Sequence, residues 1–141
     1  MAHIVFLEKT GCKGNARQKV LLSAAGHTLS VRDIRHEPWT REQLLAFLGP
    51  LPVAEWFNRS APAVKEGRIV PEALSADEAL TALLAEPLLI RRPLLQVGDE
   101  RRVGFDAAAI DAWIGLPGIE VPSNIDRCQH DHEPDALRCG D

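Results

Sequence analysis

Within the first 34 residues an apolar run, Ile4-Val5-Phe6-Leu7, is followed by a stretch with helical character carrying Val20, Leu21 and Leu22, and then by a second strand-like run through Leu29, Val31 and Ile34. The pattern predicts a strand over 3–8, a helix over 14–25 closed by Gly26 as a left-handed cap, and a strand over 28–34. Linkers this short leave only a right-handed parallel crossover, so the chain is expected to open with a βαβ unit. With 141 residues and 45% hydrophobic content, it can bury one substantial core, and length favours a single domain.

The remainder reads as helices and then a hairpin. Thr40 is an N-cap candidate for a helix whose apolar residues are Leu44, Leu45, Phe47 and Leu48, stopped by Gly49-Pro50. A short helix is predicted around Val53 to Phe57, then an irregular stretch through Ser60-Ala61-Pro62. Ser75-Ala76-Asp77-Glu78 has the form of a capping box ahead of Leu80, Leu83 and Leu84. Two strands, Leu94 to Val97 and Arg102 to Phe105, flank a Gly98-Asp99 turn, and a last helix is expected over Asp106 to Ile114. This order, βαβ, helical insertion, ββα, is that of an α/β thioredoxin-like fold with a mixed sheet, although periodicity alone does not single it out. The domain is expected over 1–116. Residues 117–141, interrupted by Pro117, Gly118, Pro122 and Pro134, are expected to form a loose, mostly irregular tail.

Charge separates the same two parts. The tail carries six acids against two bases, which leaves 14 bases and 14 acids of the chain's 16 and 20 in residues 1–116. A neutral body and an acidic tail argue against a nucleic-acid partner. No apolar run is long enough to span a bilayer, and Met1-Ala2-His3 leads straight into a strand without a signal-like segment, so a cytoplasmic protein with no membrane association is expected. Three cysteines without framework spacing fit a reducing compartment.

Cys12 stands between the first strand and the first helix, in Thr10-Gly11-Cys12-Lys13-Gly14-Asn15. Amides at a helix N-terminus, with Lys13 and Arg17 nearby, favour thiolate over thiol, and the amides of Lys13, Gly14 and Asn15 form a cradle for an oxyanion. A buried, inert cysteine on a turn is the competing reading.

Thr10-Gly11-Cys12, Trp56-Phe57-Asn58-Arg59-Ser60 and Pro87-Leu88-Leu89-Ile90-Arg91-Arg92-Pro93, taken in order, resemble the glutathione/glutaredoxin-dependent arsenate reductase family (ArsC) and its Spx-type relatives over about residues 3–115. The chain looks most similar to the nitrogenase-associated branch. The resemblance implies that Cys12 is the nucleophile and that Arg59 and Arg92 bind the oxyanion, with Pro93 cis. Guanidinium forks suit tetrahedral oxyanions. It also implies glutathione as co-substrate with no bound cofactor, and glutaredoxin or a nitrogenase-system protein as partner. Arg91 reads as a solvated surface charge.

The resemblance also marks a departure. Where the true reductases have a third arginine after the second hairpin strand, this chain has Gly104, and Arg101 or Arg102 would have to reach in from strand positions facing other ways. No second cysteine follows Cys12 at Cys-x-x-Cys spacing. A resolving thiol must therefore be glutathione, a partner, or Cys128 or Cys139 of the tail. Cys128, His130, His132 and Cys139 also have the chemistry of a metal site, without a standard spacing; a solvated acidic tail is the favoured reading, and no metal is assigned. His3, His27 and His36 read as structural or surface residues, and Trp39, Trp56 and Trp113 as packing anchors. Two functions compete: a thiol-dependent oxidoreductase built on Cys12, Arg59 and Arg92, and a non-catalytic adaptor that binds a nitrogenase-system or transcription protein.

Overall fold

The structure is a computed structural model and describes residues 2–116. The expectations for residues 117–141, including the tail's irregularity, its metal site and its resolving thiols, lie outside the described residues.

The chain runs β1 (His3–Glu8), α1 (Lys13–Ala24), β2 (Thr28–Asp33), α2 (Arg41–Leu48), α3 (Pro62–Lys65), α4 (Ala76–Ala85), β3 (Leu94–Val97), β4 (Glu100–Val103) and α5 (Ala107–Ile114), with single 3-10 turns between several of them. The four strands form one sheet in the order β2-β1-β3-β4. β1 pairs parallel with β2 and antiparallel with β3, and β4 returns antiparallel beside β3. This mixed sheet, entered through βαβ and closed by ββα, is the thioredoxin-like fold expected from the sequence.

Strand alternation distributes the core to both faces of the sheet. Ile4 and Phe6 of β1 and Leu95 of β3 pack with Leu21 and Leu22 of α1, Phe105, and Ile110 of α5. Leu7 and Leu94 face the other way, onto Leu44, Phe47 and Leu48 of α2, Trp56, Phe57, and Leu80 and Leu83 of α4. The helical insertion therefore supplies the second half of the core.

Local signals end the elements where chemistry requires. At the end of α1, Gly26 takes φ +97°, its N–H donates to the Ser23 carbonyl and that of His27 to the Leu22 carbonyl. These are the paired bonds of a Schellman motif. Thr40 Oγ1 accepts the Gln43 amide at 3.1 Å, and the capping box at Ser75 is complete, with Glu78 N–H donating to Ser75 Oγ at 3.1 Å and Ser75 N–H to Glu78 Oε1 at 2.9 Å.

Five expectations need correction. Val20 is 69% exposed, because the buried stripe of α1 runs through Gly14, Asn15, Gln18, Leu21 and Leu22, giving inward positions to two polar side chains. Leu45 is 40% exposed, off the α2 stripe of Leu44, Phe47 and Leu48. Ile34 opens a 3-10 turn rather than ending β2. Pro62 does not sit in an irregular stretch but starts α3, where its fixed φ suits the first helical turn. β4 spans Glu100–Val103 instead of 102–105, since Gly104 at φ +79° turns the chain out of the ladder. Among the described residues no helix is long and apolar enough to cross a membrane.

Candidate active site

Cys12 is the N-cap of α1. Its backbone is extended (φ −73°, ψ 118°) and its Sγ accepts the Asn15 N–H at 3.5 Å. The approach is a tight turn in which the Cys12 N–H donates to the Lys9 carbonyl at 3.1 Å and Gly11 holds φ +93°. Position in the helix leaves the amides of Lys13 and Gly14 without an intrahelical carbonyl partner. Cys12 is only 6% exposed; Gly14 and Asn15 are buried beside it and Lys13 is exposed.

Asn15 organises this turn. Its Oδ1 accepts the Lys9 N–H at 3.3 Å and its Nδ2 donates to Gln18 Oε1 at 3.0 Å, both side chains being buried. From the neighbouring strand, Asp33 Oδ2 accepts the Thr10 N–H at 3.2 Å. The Arg35 guanidinium, paired with Asp33 through two nitrogens, holds that carboxyl well below the usual carboxylate range against the opposing pull of burial, with the Thr10 N–H assisting. The turn is thus moored on both sides. Arg17, one turn into α1, is half-buried, with Nε and Nη2 shielded from solvent and making no hydrogen bond.

The β1–β3 register ends at Leu7 opposite Leu94, so residues 9–12 and 90–93 emerge from the same end of the sheet. The Arg92–Pro93 peptide is cis, and Pro93 is buried with its carbonyl accepting the Gly104 N–H at 2.8 Å. Just ahead, a short antiparallel ladder forms across the Phe57–Ile90 bridge: Asn58 N–H donates to the Leu89 carbonyl at 2.8 Å and Arg91 N–H to the Trp56 carbonyl at 2.9 Å. This ladder brings the insertion and the segment before β3 together.

The result is a cleft of about 350 Å³ whose walls include Glu55, Asn58, Arg59, Ser60, Arg91 and Arg92. Arg59 and Arg92, separated by 33 positions in the chain, share it. Cys12 is not in its lining, so the cysteine turn and the arginine cleft are two separate parts of the same end of the sheet. Arg59 is already engaged: its Nη2 donates to Glu72 Oε2 at 2.6 Å and to the Ala54 carbonyl at 3.0 Å. That contact lowers the Glu72 carboxyl below its ordinary value. Neither Arg101 nor Arg102 enters the cleft. The Arg101 guanidinium lies 5.7 Å from the Phe47 ring centre and that of Arg102 4.6 Å from the Trp113 ring centre, as expected for neighbours on opposite faces of a strand.

Arg91 corrects the sequence reading. It is half-buried and lines the cleft, with Nη1 3.6 Å from Glu55 Oε1, rather than standing as a solvated charge. The overlooked signal was Gly104, because a glycine at the end of a strand often marks a close approach by another group. Asn58 and Glu55 also line the cleft, and nothing local in the sequence sets them apart from other polar residues. His27 is buried between main-chain groups, and Trp39 and Trp56 donate to the carbonyls of Ile34 and Leu51, whereas His36 is exposed.

Comparison with known proteins places these features in a family. The ArsC family model matches residues 15–113. An uncharacterised 15.7 kDa protein in the draG 3′ region of Rhodospirillum rubrum is 50% identical over 128 residues, covering 91% of this chain and 89% of the relative. Among solved structures, an ArsC family related protein from Bacteroides fragilis superposes with TM-score 0.69 at 24% identity, over 78% of this chain and 97% of that one. A possible arsenate reductase from Streptococcus mutans superposes with TM-score 0.66 at 26% identity, over 79% and 98%. A family match over most of the chain, a half-identical relative and a shared thioredoxin-like frame together establish that the chain belongs to the ArsC family.

Proposed function

We propose that the protein is a cytoplasmic, thiol-dependent oxidoreductase of the ArsC type, with Cys12 as the nucleophile toward a small oxyanion or glutathione. The observation that carries this reading is the meeting of a helix-capping cysteine, whose Sγ accepts a main-chain N–H, with an arginine-lined cleft at the same end of the sheet. Once reduced, Cys12 has the first-turn amides of α1 to favour its thiolate and to hold negative charge that develops on a bound oxygen. Arg59 and Arg92 orient the anion through paired N–H donors.

With arsenate as the oxyanion, the thiolate sulfur bonds to arsenic as one arsenic-bound oxygen leaves, protonated, as water. Two thiols in all then deliver two electrons and two protons, so arsenate and two thiols yield arsenite, one disulfide and that water. Glutathione supplies the reducing thiols, and glutaredoxin is the proposed partner that recycles the mixed disulfide. No nucleic acid is needed. Family resemblance, together with the draG-region relative, supports placing the chain in the nitrogenase-associated branch.

The test is arsenite formation by the reduced protein with arsenate, glutathione and glutaredoxin, compared with Cys12→Ser. Turnover that the substitution abolishes is the expected result. A second reading draws on a specific observation: Cys12 is 6% exposed and outside the cleft lining, which suits an adaptor that binds a nitrogenase-system or transcription protein. Absence of turnover, with partner capture equal in wild type and Cys12→Ser, would establish the adaptor instead.

A further inference from the structure

Gly104 and Arg91 occupy one another's space. A Cβ built at Gly104 would stand 2.9 Å from Arg91 Nη2, 3.1 Å from Nε and 3.2 Å from Cζ, so the guanidinium lies where a side chain at 104 would begin. Two main-chain bonds hold this arrangement from either side: Arg91 N–H donates to the Trp56 carbonyl and Gly104 N–H to the Pro93 carbonyl. The contact is with the flexible end of Arg91. A larger residue at 104 would therefore displace the guanidinium, besides straining a backbone held at φ +79°.

The cleft this guanidinium joins has an uneven chemistry. Among the described residues, three arginines, 59, 91 and 92, line it, and Glu55 is the one carboxylate on its wall. Asn58 adds a fourth donor group: its Oδ1 accepts the Ser60 N–H at 3.0 Å, while its Nδ2 is shielded from solvent and makes no hydrogen bond. A guanidinium has only donors, and the Asn58 oxygen already accepts one main-chain N–H. Among the described residues, donors therefore outnumber carboxylates on its wall, and positive charge outweighs negative.

We infer that Arg91, seated in the space left by the missing side chain at Gly104, is an anion-binding residue that sets the selectivity of this cleft, and that Glu55 holds it until an anion takes over. This deepens the proposed function and rests on it for the identity of the anion. The Glu55 contact, at 3.6 Å, is beyond hydrogen-bond length and leaves the donors of Arg91 free to form short bonds to a ligand. Two sources share the required chemistry, a tetrahedral oxyanion and the carboxylates of a glutathione-like peptide. The cleft has room for either, since about 350 Å³ lies within the range of small-molecule sites.

The experiment measures binding without turnover. Isothermal titration of the reduced protein with inorganic phosphate and, separately, with S-methylglutathione is compared for wild type, Arg91→Ala, Arg91→Lys, Glu55→Gln and Arg92→Ala. Arg91→Ala is expected to weaken the preferred ligand about tenfold or more, as loss of a charge-assisted hydrogen bond does. Arg91→Lys should recover only part, because a lysine lacks the planar fork. Glu55→Gln should tighten binding severalfold. Gly104→Ala should weaken binding as Arg91→Ala does, and the two substitutions together should cost no more than either alone. Arg91 is half-exposed, so Arg91→Ala is expected to fold even if Gly104→Ala does not.

Wild-type affinity unchanged by Arg91→Ala but reduced by Arg92→Ala would overturn the inference and leave the proposed function standing. Arg91-dependent binding in a protein whose Cys12 supports no turnover would do the reverse. Failure of wild type to bind either ligand would sink both.

Discussion

His27 Nε2 lies 2.8 Å from the carbonyl oxygen of Gly115, and this contact joins residues 88 positions apart. The other ring nitrogen, Nδ1, accepts the Ala2 N–H at 3.0 Å, which assigns the donating N–H toward Gly115 to Nε2. One buried side chain thus ties the start of β1 to the end of α5. His27→Phe keeps a ring but breaks both bonds, and it is expected to cost about 1–3 kcal/mol, the penalty for leaving a buried main-chain group unpaired. Urea denaturation measures the loss. Faster hydrogen exchange at the Ala2 amide should accompany it.

The moored cysteine turn carries a pH signature through Asp33. Its carboxyl is held well below the usual range by Arg35, so the folded state gains from its ionisation. A depressed folded pKa gives stability that is full above the unfolded value, about 3.9, and is lost as pH falls through the lower folded value. Asp33→Asn should therefore lower the urea midpoint at pH 7, and the gap from wild type should narrow below about pH 4. A gap of equal size at pH 7 and pH 2.5 would show that the ion pair contributes nothing.

The charge of the cleft is tunable from outside it. Glu72 pairs with Arg59 at the surface, and in doing so competes with any anion for that guanidinium. Glu72→Gln is expected to tighten phosphate binding by roughly two- to fivefold at low salt, the scale of an exposed ion pair. Raising the salt to 1 M should erase the difference, since exposed charges are then screened within a few ångströms. Titration at the two salt concentrations decides this.

The capping box offers a clean test of local signals. Ser75 Oγ and Glu78 Oε1 satisfy one another's amides at the start of α4, and the helix brings Leu80 and Leu83 into the core. Ser75→Ala should cost about 1 kcal/mol by thermal or urea unfolding. Anion binding should not change, because α4 contributes nothing to the cleft.

Much of this architecture was legible in the sequence because its signals are local. A short apolar run placed β1, a Schellman glycine ended α1, and Ser75 with Glu78 marked α4. Ile4 and Leu7 had to face opposite sides whatever else the chain did. The misreadings came where a local signal was overridden by a distant partner. Asn15 and Gln18 are polar yet buried, because they bond to one another and to the Lys9 amide, and so they displaced Val20 from the inward stripe. β4 stops short because Gly104 turns toward the carbonyl of Pro93. Arg91 could not be separated from an ordinary surface arginine without knowing that residue 104 would lie against it. For the site, residue types and order singled out Cys12, Arg59 and Arg92, the residues on which the proposed function rests. What the sequence could not supply was the division between a cysteine turn on one side and a cleft on the other.

The ladder between Trp56–Asn58 and Leu89–Arg91 has a consequence for how such a protein can be remade. The chain departs at Asn58 and comes back at Leu89, where an amide nitrogen and a carbonyl oxygen are 2.8 Å apart. Everything between those anchors, α3 and α4 included, is a segment that enters and leaves the frame at one place. Arg59 and Glu72 travel inside it, whereas Arg91 and Arg92 stay with the frame. Grafting a relative's segment at these two points would import that relative's half of the charge pattern and leave the cysteine turn untouched, provided the graft also brings apolar residues to cover Leu44 and Leu94.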